Sequence, residues 1–311
     1  MADMSPNPHV QVRVDLSRIR RNVIDISSRT GVAVIAVVKA DAYGLGGERV
    51  ARAIGDLVEG FYVFDPVEAL QYRLAETGRR TIAMLAPSDN STDYVSHKIH
   101  PVVWDEGRAR TLRGARPVLS VDVGQRRFGC EPRDAKAILQ AGALCEAMAH
   151  ATRAEHIAIL TNALAGASGV RLHAAGSALL ADRAAWLDAV RPGLAIYQGA
   201  VKISARLIDA RDANGPAGYG GFVTARHGLI RCGYSNGLRP GPCLVNGQRR
   251  RVLEVGMQTA FIELGRGDRI GDEVVLLGDA LTPAEIGAAW NSTAQEALFR
   301  LANAGVRDYV E

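Results

Sequence analysis

Eight short apolar runs alternate with helical patterns along the first two thirds of this 311-residue chain. The runs are rich in β-branched residues and lie at 33–38, 61–64, 81–85, 101–103, 117–121, 144–149, 170–172 and 187–190. Windows with helical spacing, such as 67–76, 133–140 and 154–164, lie between them. Because strand and helix alternate, we predict an α/β fold with an N-terminal (β/α)8 TIM barrel. An open doubly wound sheet is the alternative.

The pattern changes after about residue 205, where short predicted strands are separated by tight turns. These strands lie at 221–225, 228–232, 243–245, 251–255, 259–264 and 273–277. Asn246-Gly247 favours a type I′ hairpin, and two capping-box patterns, 282–285 and 292–295, predict helix starts near the C-terminus. We therefore predict a barrel over 10–205 and a separate mostly-β domain over 206–311.

The composition excludes several classes of protein. The chain is 48% hydrophobic and 23% charged, with a net charge of +4 that is dispersed, so neither nucleic acid nor a membrane is indicated as a partner. The N-terminus lacks the order of a secretory signal, which predicts a cytoplasmic location. Four cysteines without C-x-x-C spacing indicate neither a metal site nor a disulfide framework.

One lysine stands at the end of the first apolar run. Lys39 follows VAVIAVV and leads into Asp-Ala-Tyr-Gly, which predicts a sharp turn. A desolvated amine loses part of its preference for the charged form, as an imine-forming or proton-transferring lysine requires. The alternative is an ordinary lysine that extends from the strand end into solvent.

Four more polar side chains follow predicted strands, at the end where a βα barrel carries its chemistry: Arg127, His150, Ser177 and Arg191. His150 taken alone also fits a structural histidine, and Ser177 a helix cap. The same cap, with Gly176, could bind a phosphate through backbone N–H groups. A lysine able to form an imine beside a phosphate site indicates pyridoxal 5′-phosphate (PLP).

The chain resembles the alanine racemase family, in which a PLP-binding barrel precedes a β domain. The resemblance runs nearly end to end and is carried by VVKADAYGLG at 37–46, VDVGQRRFG at 121–129, HAAGSA at 173–178, VRPGLAIY at 190–197 and GYSNG at 233–237. It implies a PLP-dependent racemase that interconverts the L- and D-forms of alanine or another small amino acid. It also implies a homodimer with shared active sites.

The resemblance assigns two acid/base groups, one on each face of the bound substrate. Lys39 would hold the cofactor covalently and transfer a proton on one face. Tyr234, supplied by the partner subunit, would transfer a proton on the other face. A hydrogen-bond chain of Arg191, His150 and Tyr234 would lower the effective pKa of that phenol.

Further residues are implied around the cofactor and the substrate. Arg191 would face the pyridine nitrogen and, because an arginine keeps its proton, leave that nitrogen unprotonated. Arg127 and the backbone amide of Met257 would bind the substrate carboxylate. The other cofactor-binding positions are Tyr43, Leu85, His150, Ser177, Gly193, Leu194 and Gln295.

Four positions depart from the family pattern. Ser120 replaces a lysine that orients the carboxylate-binding arginine, so Arg127 would be held less firmly or by another group such as Gln125. Gly176 replaces an asparagine beside Ser177. Gln258 replaces an aspartate and Gln295 a tyrosine at the substrate entrance, which predicts a wider, less charged entrance and a substrate larger than, or different from, alanine.

Three other activities fit parts of the same pattern. A PLP-dependent aldolase or hydroxymethyl transferase acting on β-hydroxy amino acids is the main alternative. A PLP-carrier barrel lacks the β domain and its tyrosine, both of which this chain has. The decarboxylase barrels for basic amino acids carry a cysteine-containing substrate motif that the C-terminal part of this chain lacks.

Overall fold

The computed structural model describes residues 7–213 and 215–311. The chain divides into two compact units. The barrel unit consists of Ile19–Ala42 and Gly46–Ile196. The β unit consists of the described residues up to Arg18 together with Tyr43–Leu45 and Tyr197–Glu311.

The strands, in chain order, are β1 (Asn7–Asp15), β2 (Ala33–Val37), β3 (Gly60–Val63), β4 (Arg80–Ala83), β5 (Ile99–Val103), β6 (Val118–Ser120), β7 (Glu146–Ala151), β8 (Arg171–Ala175), β9 (Ala189–Val190), β10 (Val201–Asp212), β11 (Arg226–Ile230), β12 (Gly241–Val245), β13 (Gln248–Val255), β14 (Ala260–Glu263), β15 (Glu273–Leu277) and β16 (Gly305–Val310). The helices are α1 (Leu16–Thr30), α2 (Lys39–Gly44), α3 (Gly47–Ile54), α4 (Pro66–Gln71), α5 (Thr92–Val95), α6 (Glu106–Thr111), α7 (Ala135–Gly142), α8 (Ala154–Ala163), α9 (Pro283–Ala289) and α10 (Ala294–Ala302).

Strands β2 to β9 form a closed parallel barrel in sequential order, in which β9 pairs with β2. This confirms the predicted TIM-like barrel and excludes the open sheet. Each of the eight predicted runs overlaps a barrel strand, because parallel strands that are buried on both faces are nearly continuous apolar runs. The carboxyl ends of these strands meet at one rim, which carries the candidate site.

The β unit is built on an eight-stranded sheet in the order β11-β14-β13-β12-β15-β10-β1-β16. Its strand pairs are antiparallel except for β1 with β16, which confirms a mostly-β domain. The predicted Asn246-Gly247 hairpin joins β12 to β13, and both residues have the positive φ that a type I′ turn requires (50° and 74°).

The division between the units differs from the predicted boundary at 205/206. It lies between Ile196 and Tyr197, because β10 crosses residue 205 without a break and pairs with β1, β11 and β15. The start of the predicted barrel domain at residue 10 also falls inside β1, which belongs to the β unit. The first described residues therefore belong to the β unit, the next ones form the barrel, and the chain re-enters the β unit at Tyr197.

Two local predictions were wrong. Residues 221–225 form no strand, because the glycines at 218 and 221 have positive φ and the Glu254 carboxylate accepts the backbone N–H groups of Tyr219 and Gly220. Helix α10 begins one residue later than predicted, since its cap is Thr293, whose hydroxyl accepts the Glu296 N–H. The first predicted cap, Thr282 with Glu285, is confirmed.

Candidate active site

Lys39 is the one lysine of the chain that is not exposed: it is half-buried just after β2, whereas Lys98, Lys136 and Lys202 all lie at the surface. Burial lowers the pKa of its amine, and the nearby cations Arg127 and Arg191 lower it further, against the opposing effect of Glu68. A lowered pKa leaves a larger fraction of the amine in its neutral form, which is the form that attacks an aldehyde or accepts a proton. The alternative of an ordinary solvated lysine does not fit this environment.

The residues after Lys39 form a left-handed helical turn. Five consecutive residues, from Ala40 to Gly44, have φ between 52° and 82°. Such a conformation costs about 1–2 kcal/mol for each residue other than glycine, so the surrounding structure must stabilise it. In the barrel unit, Glu68 accepts the Ala40 N–H (2.6 Å) and the hydroxyl of Tyr72 accepts the Asp41 N–H (2.6 Å). Neither of these supporting side chains was predicted from the sequence.

Arg191 follows β9 and is only 5% exposed. One terminal nitrogen lies 2.8 Å from Nδ1 of His173, and the other donates to the carbonyl of Ala149 (2.6 Å). Its guanidinium also lies 5.2 Å from the centre of the Tyr62 ring, within cation–π range. These contacts fix the planar cation in one orientation at the rim, although burial lowers its pKa.

The predicted hydrogen bond between Arg191 and His150 is not found among the described residues, whereas the link from His150 to Tyr234, which the partner subunit would supply, stays a prediction. Arg191 is hydrogen-bonded to His173 and Ala149, and within residues 7–213 and 215–311 no hydrogen bond joins it to the His150 ring. The physical reason is that β8 places His173 beside Arg191 inside the barrel, whereas His150 is exposed on β7. Partial burial, followed by the charges of Arg191, Lys39 and Arg127, lowers the pKa of His150 to about 4.

Arg127 is exposed on the loop after β6. Asp122 accepts the backbone N–H of Arg127 (2.8 Å), and Gln125 Oε1 accepts from its side-chain Nε (3.2 Å). Burial would raise the pKa of Asp122, but hydrogen bonds from the loop backbone outweigh this effect and lower it. Gln125 thus holds Arg127 as the sequence suggested, while Ser120 is buried in β6.

Ser177 lies two residues beyond β8 and accepts hydrogen bonds from two backbone N–H groups. Its hydroxyl oxygen accepts the N–H groups of Gly193 and Ala195, both at 3.0 Å. These groups, with Leu194 between them, form a small cradle in which the two N–H groups converge on the Ser177 oxygen and the hydroxyl hydrogen is left to donate to a phosphate. A Cβ at Gly176 would meet only the Arg191 carbonyl at 3.8 Å, so the space beside Ser177 is open. Ala195 was not predicted.

The remaining predicted cofactor residues lie in different places. Leu85 is half-buried beyond β4, and its N–H donates to the carbonyl of Phe64 (2.7 Å). Tyr43 belongs to the β unit, where its ring lies 5.2 Å from that of Tyr197. Burial raises the pKa of Tyr43 to about 12, so its hydroxyl stays a donor near neutral pH. Gln295 is exposed on the first turn of α10.

The β unit brings Tyr234 and Met257 together. The Tyr234 N–H donates to the carbonyl of Gly256 (2.9 Å), and Ser235 donates to the carbonyl of Met257. Glycine is required at 233, since a Cβ there would approach the Met257 oxygen to 2.2 Å. The side chains of Tyr234 and Met257 are 57% and 61% exposed, and the neighbouring Gln258 is exposed as well.

The residues of the barrel unit fit PLP by their chemistry. A half-buried amine with a lowered pKa can bind an aldehyde, the Ser177 cradle offers donors to a phosphate, and the buried Arg191 can face a ring nitrogen. No described helix is long and apolar enough to cross a membrane.

Comparisons with known proteins agree with this reading. A family model described as the N-terminal domain of alanine racemase matches residues 14–201. The chain is 29% identical to the alanine racemase of Neisseria meningitidis serogroup A, in an alignment that covers 88% of this chain and 91% of the relative.

Solved structures show the same fold over nearly the whole chain. Alanine racemase from Streptomyces coelicolor A3(2) superposes with a TM-score of 0.87 at 26% identity, covering 97% of this chain and 98% of that one. Alanine racemase from Bartonella henselae, solved with covalently bound pyridoxal phosphate, gives a TM-score of 0.85 at 20% identity, covering 97% and 99%. With the family model matching more than half of its length, this chain belongs to the alanine racemase family of PLP enzymes.

Proposed function

We propose that this chain is a PLP-dependent racemase that interconverts the L- and D-forms of alanine or another small amino acid. The observation that carries this proposal is Lys39, a half-buried amine at the barrel rim whose pKa is lowered by burial and by Arg127 and Arg191. The names of the relatives support a racemase rather than an aldolase or hydroxymethyl transferase. Among residues 7–213 and 215–311, no contact favours an aldolase or hydroxymethyl transferase.

The chain's own groups supply binding, orientation and proton transfer. PLP, when bound, withdraws electrons from the substrate carbon that loses its proton. Ser177 with the amides at 193 and 195 would hold the phosphate, and Arg191 would stand opposite the ring nitrogen as a permanent cation. Arg127, steadied by Gln125, would bind the substrate carboxylate at the exposed rim.

Inversion requires a proton donor and a proton acceptor on opposite faces of the substrate carbon. Lys39 would move the proton at its Nζ on one face, and Tyr234 the proton at its phenolic oxygen on the other. Lys39 lies in the barrel unit and Tyr234 in the β unit. We propose that the β unit of a second copy supplies Tyr234, so that the enzyme is a homodimer with shared sites. The exposed ring of Tyr234 supports this assignment, because it is available to another surface.

The substrate side chain is tested with a panel of L-amino acids, whose products are separated by chiral chromatography. A racemase converts at least one member of the panel to its D-form, and release of an aldehyde from threonine without racemisation of any amino acid would refute the proposal. The exposed Gln258 and Gln295 predict that alanine is not by far the best substrate. If alanine has by far the highest kcat/KM, the argument from the entrance is wrong. The cytoplasmic location stays a prediction.

A further inference from the structure

A cluster of ion pairs closes the amino-terminal end of the barrel. Glu59 precedes β3, and Arg80, Glu146 and Arg171 are the first residues of β4, β7 and β8. Arg80 donates to Glu146 through both terminal nitrogens (2.5 and 2.8 Å) and to Glu59 (2.6 Å), while Arg171 also pairs with Glu59. Two carboxylates and two guanidinium groups thus neutralise each other, as partly buried charges must.

His173 connects this cluster to the rim. It lies two residues beyond Arg171 on β8 and is 0% exposed. Its Nε2 lies 3.0 Å from Glu146 Oε1, within ion-pair distance although the N–H does not point squarely at the oxygen, and its Nδ1 lies 2.8 Å from the Arg191 guanidinium. A carboxylate only accepts and a guanidinium only donates, so the ring proton must be on Nε2 and Nδ1 must be the acceptor for Arg191.

We propose that Glu146 is a positioning residue for Arg191, acting through His173. This inference rests on the proposed function, in which Arg191 faces the cofactor's ring nitrogen. Without the carboxylate, Arg191 alone favours the Nε2–H tautomer, and the other tautomer would point an N–H at the guanidinium. Two donors would then face each other, and Arg191 would lose one of the groups that hold its orientation.

The charge states of Glu146 and His173 agree with a role of Glu146 in positioning Arg191. Burial would raise the pKa of Glu146, but hydrogen bonds from Arg80 and His173 outweigh it and hold the pKa below its usual range, so the group stays a carboxylate. Burial, followed by the charge of Arg191, lowers the pKa of His173 to about 4 in spite of Glu146. Near neutral pH the ring is therefore neutral and can accept from Arg191.

Glu59 provides a matched control. It pairs with Arg80 as Glu146 does, but its hydrogen bonds go to Arg80 and Arg171 and not to His173. If the cluster only stabilises the barrel, Glu59→Gln and Glu146→Gln should have similar effects. If Glu146 positions Arg191, only the change at Glu146 should alter the state of the His173 ring.

The first measurement uses protein labelled with ¹⁵N-histidine and prepared without PLP. We expect the His173 ring signals of the wild type and of Glu59→Gln to show a protonated Nε2 and an unprotonated Nδ1. In Glu146→Gln they should shift toward a mixture of tautomers. His173 signals that are identical in Glu146→Gln and in the wild type would overturn the proposal. Should that variant not fold, Glu146→Asp takes its place. It keeps the charge but shortens the reach to His173, so the His173 ring signals should again shift toward a mixture of tautomers.

The second measurement is made on the PLP-loaded enzyme. We expect kcat to fall about 10-fold in Glu146→Gln, with KM little changed, because a hydrogen bond to a charged group is lost. Glu59→Gln should lower kcat no more than about twofold, since the tautomer and its contact stay intact. Equal losses in both variants would overturn the proposal. A wild type without racemase activity would instead refute the proposed function, while the ring signals would still test the role of Glu146.

Discussion

The barrel unit and the β unit hold their candidate functional side chains in opposite ways. In the barrel, Arg191 and His173 are 5% and 0% exposed, and each has defined partners inside the same unit. In the β unit, the side chains of Tyr234 and Met257 are more than half exposed, although backbone hydrogen bonds join the two segments that carry them. The candidate groups of the barrel are thus held by contacts within that unit, whereas the candidate tyrosine of the β unit has an exposed ring.

The largest expected effect follows from removing the barrel's amine. Lys39→Ala should abolish the absorbance of lysine-bound PLP and lower kcat at least about 1,000-fold, because the same group binds the cofactor and transfers a proton. Lys136→Ala, at an exposed position of α7, is the matched control and should keep both properties. Retention of the PLP band in Lys39→Ala would remove this lysine from the site.

Tyr234→Phe tests the β unit. It should lower racemisation about 100-fold or more while PLP absorbance stays unchanged, because only proton transfer on one face is lost. Exchange of the substrate's α-proton in D₂O, followed for each enantiomer, identifies the affected face. Tyr219→Phe, which changes another exposed tyrosine of the same unit, should have little effect. Unchanged racemisation in both directions would exclude Tyr234 from the mechanism.

Ser177→Ala tests the phosphate cradle of the barrel. Loss of the hydroxyl beside the amides at 193 and 195 should weaken PLP binding about 10-fold, measured as the Kd in a PLP titration. Ser96→Ala is the control, since Ser96 is exposed and hydrogen-bonded only within α5 and its cap. Equal Kd values for the two variants would place the phosphate elsewhere.

The smallest effect concerns stability against pH. The pKa of His173 is lowered from 6.5 to about 4 in the folded chain, so the unfolded chain binds more protons between these values. The free energy of unfolding should therefore fall as pH decreases from about 6.5 to 4, with this histidine contributing on the order of 1–3 kcal/mol.

Urea titrations at several pH values measure this dependence. His173→Asn should flatten the slope over this range, whereas His9→Asn, at an exposed position of β1, should leave it unchanged. Parallel slopes for the wild type and His173→Asn would show that the buried ring does not resist protonation.

The two units also differ in how much of them the sequence predicts. The barrel strands were found because each is a local apolar run. In the β unit, β1 was missed although Val10, Val12 and Val14 alternate with exposed residues, and β10 was divided by the predicted boundary. Both strands depend on partners distant in sequence, since β1 pairs with β10 and β16.

At the site, residue identities were more predictable than contacts. The sequence motifs pointed to Lys39, Ser177 and Arg191, but not to the partner of Arg191, because His173 meets it across neighbouring strands. The pattern of neighbouring residues also does not predict the left-handed turn after Lys39. Its backbone is intrinsically unfavourable and is stabilised by Glu68 of α4 and by Tyr72, which directly follows that helix.

We propose that the barrel of one subunit and the β unit of another form each active site. Mixing the inactive variants Lys39→Ala and Tyr234→Phe, with unfolding and refolding to exchange subunits, tests it directly. If the site is shared, half of the dimers are mixed and each has one intact site, so activity should recover to about a quarter of the wild-type value. If both residues act within one chain, no intact site can form, and a mixture that stays inactive would contradict the account.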